Sequence, residues 1–447
     1  MDAHAPTKTV PLKASNNFPW MDKTYVCLSN KRDALYNRAI KDKSGPFWEK
    51  YKLMRNKCSN TFHKNKSSYF QKFIESTSVS SRKLWKKLSP YITPNKKSSL
   101  ISSQILKSLL NTDIHLATAF CNYFSTITNS FKFIHINICL NFVNNFFYNN
   151  PFLSKFKNKG IRFNLPEFTR EEIVKGLKAL APNSGKGESD IESSILIEAA
   201  DVLGKPLTDL FNLILISGIY PNEWKCAHIT PIFKGGKKTD LGNYRPISIL
   251  SPISKLFESL VSTKIIEYLE RNNMLHRSQF AYRKKTSTEH AVLTMTEEWR
   301  KNLDKGFDVV ALFIDLSKAF DTVDHNILLA KLEYYNFHSN FISLIKSYLE
   351  DRSIKVKEIN DSLSESCPIK VGVPQGSVLG PLLFIIYFNN FNYLQTKSKN
   401  FLYADDTTMS SFGKHIDLII KDLESDLFLV EEWLLHNRLL INSDPKI

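Results

Sequence analysis

The sequence is poor in cysteine, and its six cysteines follow no spacing that a metal site or a disulfide framework would need. None lies in a Cys-X-X-Cys pair or a Cys/His pattern, so the sequence predicts neither a structural zinc site nor a disulfide-rich secreted fold. This usage favours a reducing intracellular compartment. The six are Cys27, Cys58, Cys121, Cys139, Cys226 and Cys367.

Long uninterrupted hydrophobic runs are also missing. The amino terminus has no apolar segment of the kind that a secretory signal peptide carries. The most apolar long stretch, residues 131–152, contains six asparagines, which a bilayer tolerates poorly. We therefore expect that stretch to be a core segment or an insertion, and we expect no membrane partner.

Acidic residues are scarce in the first third of the chain. Residues 1–160 hold 26 Lys and Arg against 7 Asp and Glu, whereas residues 161–447 hold 34 against 37, so the net charge of +16 comes from the first part. From Gly45 to about Phe73, apolar residues recur at helical spacing with lysines on the other faces. This pattern predicts a basic helix that binds nucleic-acid phosphates, and a merely solvated amphipathic helix is the alternative.

The apolar content is sufficient for a globular protein of two or three domains. The 447 residues are 43% hydrophobic and 12% aromatic, which can build a sizeable core. Together with the charge distribution, this predicts a basic, mainly helical N-terminal extension over residues 1–160 and a separate domain over residues 161–447.

Two adjacent carboxylates, Asp405 and Asp406, lie between short apolar or β-branched segments. The flanks predict strands, and Ala404-Asp405-Asp406 predicts a tight turn between them. In a straight strand the two side chains would point to opposite faces, whereas in a turn both can approach one site. Neighbouring carboxylates that both stay ionised favour a divalent cation, and a solvated loop pair is the alternative.

Two further segments carry candidate functional residues. Residues 309–316 form an apolar run that predicts a fully buried strand, interrupted only by Asp315 near its end. A lone buried carboxylate is costly unless it is paired or binds a metal. Residues 372–381 form a Gly/Pro-rich loop before an apolar helix, and such a loop lets the backbone approach a ligand closely.

Three segments resemble, in their order along the chain, three motifs of reverse transcriptases. They are Asp315, Gln375-Gly376 and Tyr403-Ala404-Asp405-Asp406. The resemblance is specifically to the enzymes of non-LTR, LINE-like retrotransposons of the jockey or CR1 type, in a truncated copy. It covers roughly residues 165–447, with the core motifs in 228–447. Further matching phrases are Asn243-Tyr244-Arg245-Pro246-Ile247-Ser248, Gln279-Phe280-Ala281-Tyr282-Arg283 and the segment from Trp433 to Asn442.

The resemblance implies an α+β fold with the fingers and palm of a right-hand polymerase. The palm would be a ferredoxin-like antiparallel sheet with helices, preceded by the basic helical extension. The implied activity is RNA-directed DNA polymerisation, in which the enzyme adds dNTPs to a primer 3′-hydroxyl. The implied cofactors are two Mg²⁺ ions, which Mn²⁺ could replace. Asp315, Asp405 and Asp406 would be the catalytic metal ligands. The implied partners are an RNA template, a DNA primer and the ribonucleoprotein of the element, in the nucleus or the cytoplasm.

The resemblance also implies roles around the nucleotide. Phe320, five residues after Asp315, matches a steric gate that favours deoxynucleotides. Gln375 and Gly376 would line the nucleotide pocket. Lys234 and Arg245 would be fingers residues that bind the incoming triphosphate, the arginine as a bidentate fork and the lysine as a point charge.

Two more candidate residues lie in or next to the further matching phrases. Arg283 resembles a template-side residue, and Lys446 is a candidate general acid for the leaving pyrophosphate. Asp321 belongs to the motif that begins at Asp315, but the sequence assigns it no role.

Two alternative functions stay open. One is a truncated, catalytically inactive remnant that only binds nucleic acid, because no thumb sequence follows Asn442. This alternative also fits a resemblance to the segment that joins the endonuclease and polymerase regions of such retrotransposon proteins. The residues that carry it are 18–20, 31–36 and 83–85. The other is a reverse transcriptase of the group II intron or telomerase type. The phrase at 243–248 and the N-terminal segment favour the LINE-like family over these.

Overall fold

The computed structural model describes residues 20–42, 45–75, 116–157, 162–182, 185–189, 191–357 and 363–442. The chain divides into two compact units, residues 1–98 and 99–447. No helix in the described ranges combines the length and the apolar character needed to cross a bilayer.

In its described residues, the first unit contains two helices that pack against each other, α1 (Lys23–Asp42) and α2 (Gly45–Glu75). Helix α2 confirms the helix predicted from Gly45. Trp20 is 5% exposed and packs its ring against aromatic residues of α2, with centroid distances of 5.7 Å to Tyr69 and 5.3 Å to Phe70. The phrases at 18–19 and 83–85 lie outside the described residues.

The second unit mixes helices with two small sheets, as predicted. Its helices in the described part are α3 (Leu116–Thr126), α4 (Ile136–Asn149), α5 (Ser154–Lys157), α6 (Arg170–Lys178), α7 (Ser193–Glu198), α8 (Ala200–Ser217), α9 (Pro252–Arg271), α10 (Thr288–Leu303), α11 (His325–Tyr334), α12 (Ser339–Leu349), α13 (Leu379–Phe388) and α14 (Ile416–His436). Its strands are β1 (Cys226–Phe233), β2 (Tyr244–Ile249), β3 (Asp308–Ile314), β4 (Arg352–Val356), β5 (Cys367–Ile369), β6 (Lys399–Tyr403) and β7 (Asp406–Gly413).

The strands form two separate sheets in the described part of the chain. The four-stranded sheet has the order β2-β1-β4-β5, in which β1 and β4 run parallel and the other neighbours are antiparallel. The three-stranded sheet has the order β3-β7-β6 and is antiparallel throughout. The carboxyl end of β3 therefore lies beside the amino end of β7, which brings Asp315 to the edge where the Asp405 turn lies.

The main core extends from the three-stranded sheet through helices α11, α13 and α14 to helices α4, α6, α8, α9 and α12. Helix α13 is buried on all its faces, which explains its unbroken apolar sequence. Its amino end is capped from a distance, because the buried carboxylate of Glu258 accepts hydrogen bonds from the backbone N–H groups of Val378 (2.8 Å) and Leu379 (3.0 Å). A negative charge is favourable at this end of a helix.

The prediction of a fully buried strand at residues 309–316 is wrong. Phe313 is 67% exposed, although the next residue, Ile314, is only 7% exposed. Helix α10 covers the Phe313 face farther along the strand, where the Trp299 indole N–H bonds the Ser410 hydroxyl at 2.8 Å. This cover does not reach the end of the strand, and so that face stays open next to Asp315.

Residues 116–157 pack inside the second unit, which differs from the predicted boundary near residue 160. Phe120 and Phe124 of α3 are buried in a cluster with residues of β1, β2 and β4. Phe147 of α4 is fully buried and stacks on Tyr334 with a centroid distance of 4.6 Å. The asparagine-rich stretch at 131–152 is thus a core segment, with its apolar helix face turned inward.

Candidate active site

The two strands around the Asp pair form the predicted hairpin. Tyr403 pairs with Asp406, so Ala404 and Asp405 form the turn and Asp406 is the first residue of β7. Ala404 has a φ of +58°, in the left-handed region that residues with a Cβ seldom adopt. The neighbours of the turn must therefore stabilise this conformation.

Asp315 follows directly on the last residue of β3, and its carboxylate is held by one defined contact. The Asn442 side chain donates from Nδ2 to Oδ2 of Asp315 at 2.8 Å, and the Asn442 backbone N–H donates to the Asp315 carbonyl at 2.8 Å. Asn442 entered the sequence analysis only as the end of a matching phrase. The structure gives it a role that sequence spacing could not reveal.

The three predicted aspartates influence one another electrostatically. Burial raises the pKa of the Asp405 carboxyl, and the negative charges of Asp406 and Asp315 raise it further. The positive charge of Arg245 opposes this rise. The Asp405 carboxyl at the β6–β7 turn therefore lies within electrostatic reach of Asp315, Asp406 and Arg245.

This arrangement fits a divalent cation that takes only part of its ligands from protein. Within the described residues, no three His, Cys, Asp or Glu side chains are grouped closely enough to hold a metal ion by themselves. Mg²⁺ is commonly bound by one or two carboxylates and completes its shell with water and substrate phosphate oxygens. Burial is the main cause of the raised pKa of Asp405, and the repulsion from Asp406 and Asp315 that adds to it is what such an ion would relieve.

Lys234 and Arg245 lie on the hairpin formed by β1 and β2, and both side chains are exposed. The Lys234 backbone N–H donates to the Asn243 carbonyl at 2.8 Å, which closes the connecting loop. Lys318 ties this hairpin to the segment after Asp315, because its Nζ donates to the Gly242 carbonyl at 2.9 Å. Burial lowers the pKa of Lys318, and the nearby charges of Lys234 and Arg245 contribute.

Phe320 packs against α13, and Gln375 lies in the loop before that helix. The Phe320 ring is half-buried and stacks on Phe384 of α13, with centroids 4.6 Å apart. The Gln375 carbonyl accepts from the Ser248 backbone N–H at 2.6 Å. Gly376 has a φ of +108°, and a Cβ there would lie 2.6 Å from the Ser248 carbonyl oxygen. The close approach at Gly376 is therefore made to strand β2.

Asp321 is a residue that the sequence left without a role. The Gln375 side chain donates from Nε2 to Oδ1 of Asp321 at 2.8 Å. The second oxygen, Oδ2, is buried and has no hydrogen-bond partner in the described part. Burial raises the pKa of Asp321 to about 6, while Gln375 and Lys318 oppose the rise.

Arg283 has its guanidinium occupied by contacts inside the protein. It donates from Nε and Nη2 to the two carboxylate oxygens of Glu270, each at 2.8 Å, and from Nη1 to the carbonyls of His276 (2.7 Å) and Gln279 (3.2 Å). Only 13% of its side chain is exposed. These contacts give Arg283 a structural role, and its template-side role stays a prediction. Lys446, the candidate general acid, lies outside the described residues.

Comparison with known proteins agrees with this geometry. Residues 236–444 match the family model described as reverse transcriptase (RNA-dependent DNA polymerase). The chain is 32% identical over 271 residues to the probable RNA-directed DNA polymerase from transposon BS of Drosophila melanogaster, an alignment that covers 59% of this chain and 30% of that protein. It is 29% identical over 291 residues to the RNA-directed DNA polymerase from mobile element jockey of the same species, covering 63% and 31%.

A third relative is the probable RNA-directed DNA polymerase from transposon X-element of Drosophila melanogaster, 31% identical over 242 residues, with 53% of this chain and 26% of the relative covered. The chain thus spans less than a third of the length of these three relatives. The resemblance to polymerases of non-LTR retrotransposons, which the motifs indicated, is confirmed.

Proposed function

We propose that this chain is an RNA-directed DNA polymerase that adds dNTPs to the 3′-hydroxyl of a primer on an RNA template, because residues 236–444 match the reverse transcriptase family model. The observation that supports the proposal is that the Asp405 carboxyl, at the β6–β7 turn, interacts electrostatically with Asp315, Asp406 and Arg245. The names of the relatives support the same activity.

The polymerase subdomains follow from this assignment. The three-stranded sheet with α11, α13 and α14 is the palm, because it carries the aspartates. The four-stranded sheet with the neighbouring helices α6 to α9 forms the fingers, because its β1–β2 hairpin carries the two candidate phosphate ligands. The basic helices α1 and α2 are an N-terminal extension that contributes positive charge for nucleic-acid phosphates.

Asp315 and Asp405 are the residues that we propose to hold divalent metal, with Asp406 as a weaker third ligand. When bound, Mg²⁺ supplies positive charge at the attacking and leaving oxygens of an in-line displacement at phosphorus. The protein contributes orientation: Asn442 fixes the Asp315 carboxylate, and the β6–β7 turn fixes Asp405. Preorganised ligands of this kind avoid reorganisation during the reaction.

The nucleotide would lie between the metal ligands and the β1–β2 hairpin. Lys234 and Arg245 are exposed and free to turn toward a triphosphate. Phe320 would lie beneath the sugar, where its ring would collide with a 2′-hydroxyl. The same ring stacks on Phe384 of α13, on the side of the protein core.

Binding of nucleic acid without catalysis is the second candidate function. It is favoured by the first unit, whose exposed cations include Lys50, Lys52, Arg55, Lys57 and Lys64 on helix α2. Such a surface would bind RNA in a salt-dependent way whether or not the aspartates are active.

Primer extension separates the two functions. The full 447-residue chain is incubated with an RNA template, a DNA primer, dNTPs and Mg²⁺, beside Asp405→Asn and a charge-matched control, Asp417→Asn, on the exposed first turn of α14. We expect extension by the wild type and the control, and a loss of at least about a hundredfold in Asp405→Asn. Absence of extension in the wild type, with salt-sensitive RNA binding retained in all three, would favour the binding function.

A further inference from the structure

A loop between α9 and α10 pairs with the outer edge of the β6–β7 hairpin, which carries Asp405 and Asp406. Residues 278–280 run beside β6 in the parallel direction, with Gln279 opposite Leu402. The Leu402 N–H donates to the Ser278 carbonyl at 2.8 Å, and the Phe280 N–H donates to the Leu402 carbonyl at 2.9 Å. This pairing ends two residues before the turn that carries Asp405.

Gln279 of this loop forms a hydrogen bond with the turn between β6 and β7. Its side chain is fully buried, and its Oε1 accepts hydrogen bonds from the backbone N–H of Ala404 at 3.1 Å and from that of Ala281 at 3.0 Å. Ala404 is 5% exposed, so water cannot easily replace this acceptor. A buried N–H that loses its acceptor is costly, and the left-handed backbone of Ala404 gives the turn a further reason to relax.

The loop is itself anchored at several points. Arg283 binds both carboxylate oxygens of Glu270 on α9 and also the Gln279 carbonyl. The Thr286 hydroxyl donates to the Phe280 carbonyl at 2.6 Å. These hydrogen bonds fix the position of Gln279 relative to Ala404. A residue can orient another one only if its own position is fixed.

We propose that Gln279 is a positioning residue for the metal site, acting through the Ala404 N–H to hold the Asp405 carboxylate toward Asp315. The inference rests on the proposed function, because it assumes that Asp405 binds metal. It predicts that loss of the Gln279 acceptor weakens metal binding by about tenfold, the lower end of the effect of residues that orient metal ligands.

The test uses Mn²⁺ as the probe and two variants of Gln279. Gln279→Met has similar length but no acceptor, whereas Gln279→Glu keeps an oxygen for the Ala404 N–H. Thr286→Val is the matched control, because it removes a hydrogen bond from the same loop without touching the turn. Binding of Mn²⁺ is followed by electron paramagnetic resonance on the full chain with RNA template, dideoxy-terminated primer and the matching dNTP, beside thermal unfolding.

We expect the dissociation constant for Mn²⁺ to be about tenfold higher in Gln279→Met than in the wild type. In Gln279→Glu and Thr286→Val it should exceed the wild-type value by no more than about threefold. Equal weakening in Gln279→Met and Thr286→Val would overturn the inference. Mn²⁺ binding as tight in Gln279→Met as in the wild type would overturn it as well. Because Gln279→Glu places a carboxylate in a fully buried position, its weakening counts against the inference only if thermal unfolding shows this variant to be as stable as the wild type. Failure of the proposed function looks different: the wild type itself would then bind Mn²⁺ no better than Asp405→Asn.

Discussion

The side chain of Gln375 donates a hydrogen bond from Nε2 to Oδ1 of Asp321 at 2.8 Å, which joins the loop before α13 to the segment that follows Asp315. The backbone repeats this link, since the Val373 N–H donates to the Phe320 carbonyl at 2.8 Å. The candidate nucleotide residues Phe320 and Gln375 therefore belong to one rigid unit. The acid that connects them has its other carboxylate oxygen buried and unpartnered within the described residues.

Asp321 makes the stability of the fold depend on pH. Burial raises its pKa from the usual 3.8 to about 6, so the folded chain binds this proton more tightly than the unfolded chain does. Ionisation of Asp321 therefore lowers the free energy of unfolding as pH rises from about 4 to about 6. We expect Asp321→Asn to be more stable than the wild type at pH 7 by up to about 3 kcal/mol, at about 1.4 kcal/mol per pKa unit.

Urea unfolding at pH 4 and at pH 7 measures this effect. The stability difference between Asp321→Asn and the wild type should grow between the two pH values, because only the wild type carries the buried charge. A difference of the same size at both values would show that Asp321 does not ionise in this range.

Gly372 should tolerate no side chain. Its φ is +87°, and a Cβ would lie 2.8 Å from the carbonyl oxygen of Asp321. Gly306 is the matched control, because its φ is +74° and no atom lies within 4 Å of the position that a Cβ would take. Both alanine substitutions strain the backbone, but only Gly372→Ala adds a clash, which we expect to cost about 1–3 kcal/mol more. Equal losses in free energy of unfolding would contradict the close packing of this loop.

Phe320 should control discrimination between deoxynucleotides and ribonucleotides. Replacement by valine removes the ring and opens space for a 2′-hydroxyl, so we expect the preference for dNTP over rNTP in kcat/KM to fall by about tenfold or more. Phe384→Leu is the control, because it removes the stacking partner and leaves the Phe320 ring in place. The steric role is contradicted if the preference stays unchanged in Phe320→Val or falls equally in both variants.

Arg245 and Lys234 should bind the triphosphate of the incoming nucleotide. Arg245→Gln and Lys234→Gln each lose a charged hydrogen bond to phosphate, which we expect to raise the KM for dNTP by about tenfold. Lys238 lies in the same loop, with its Nζ 5.9 Å from the Phe233 ring centroid, and Lys238→Gln serves as a control for general loss of charge. A uniform effect of all three substitutions would indicate a diffuse field instead of specific contacts.

The local features of the site could be predicted from sequence, because they depend on neighbouring residues. Turn chemistry at Ala404-Asp405 and the apolar flanks were sufficient for the hairpin. Helical spacing after Gly45 was sufficient for α2. In both cases the deciding signal lies within a few residues.

What could not be predicted depends on contacts between distant parts of the chain. The exposure of Phe313 follows from where α10 ends over the sheet, which no property of β3 reveals. The engagement of Arg283 depends on Glu270 of α9, and the inclusion of residues 116–157 in the second unit depends on β1, β4 and α11. Asp321, Asn442 and Gln279 have hydrogen-bond partners that sequence spacing alone does not identify.

Joint binding of a metal ion by Asp315 and Asp405 is the central claim, and anomalous diffraction tests it most directly. The full chain is crystallised with an RNA template, a dideoxy-terminated DNA primer, the matching dNTP and Mn²⁺, and data are collected at the manganese edge. We expect an anomalous peak within about 2–2.5 Å of a carboxylate oxygen of Asp315 and one of Asp405, next to the α-phosphate. Ordered nucleotide with no manganese between these two aspartates would contradict the claim.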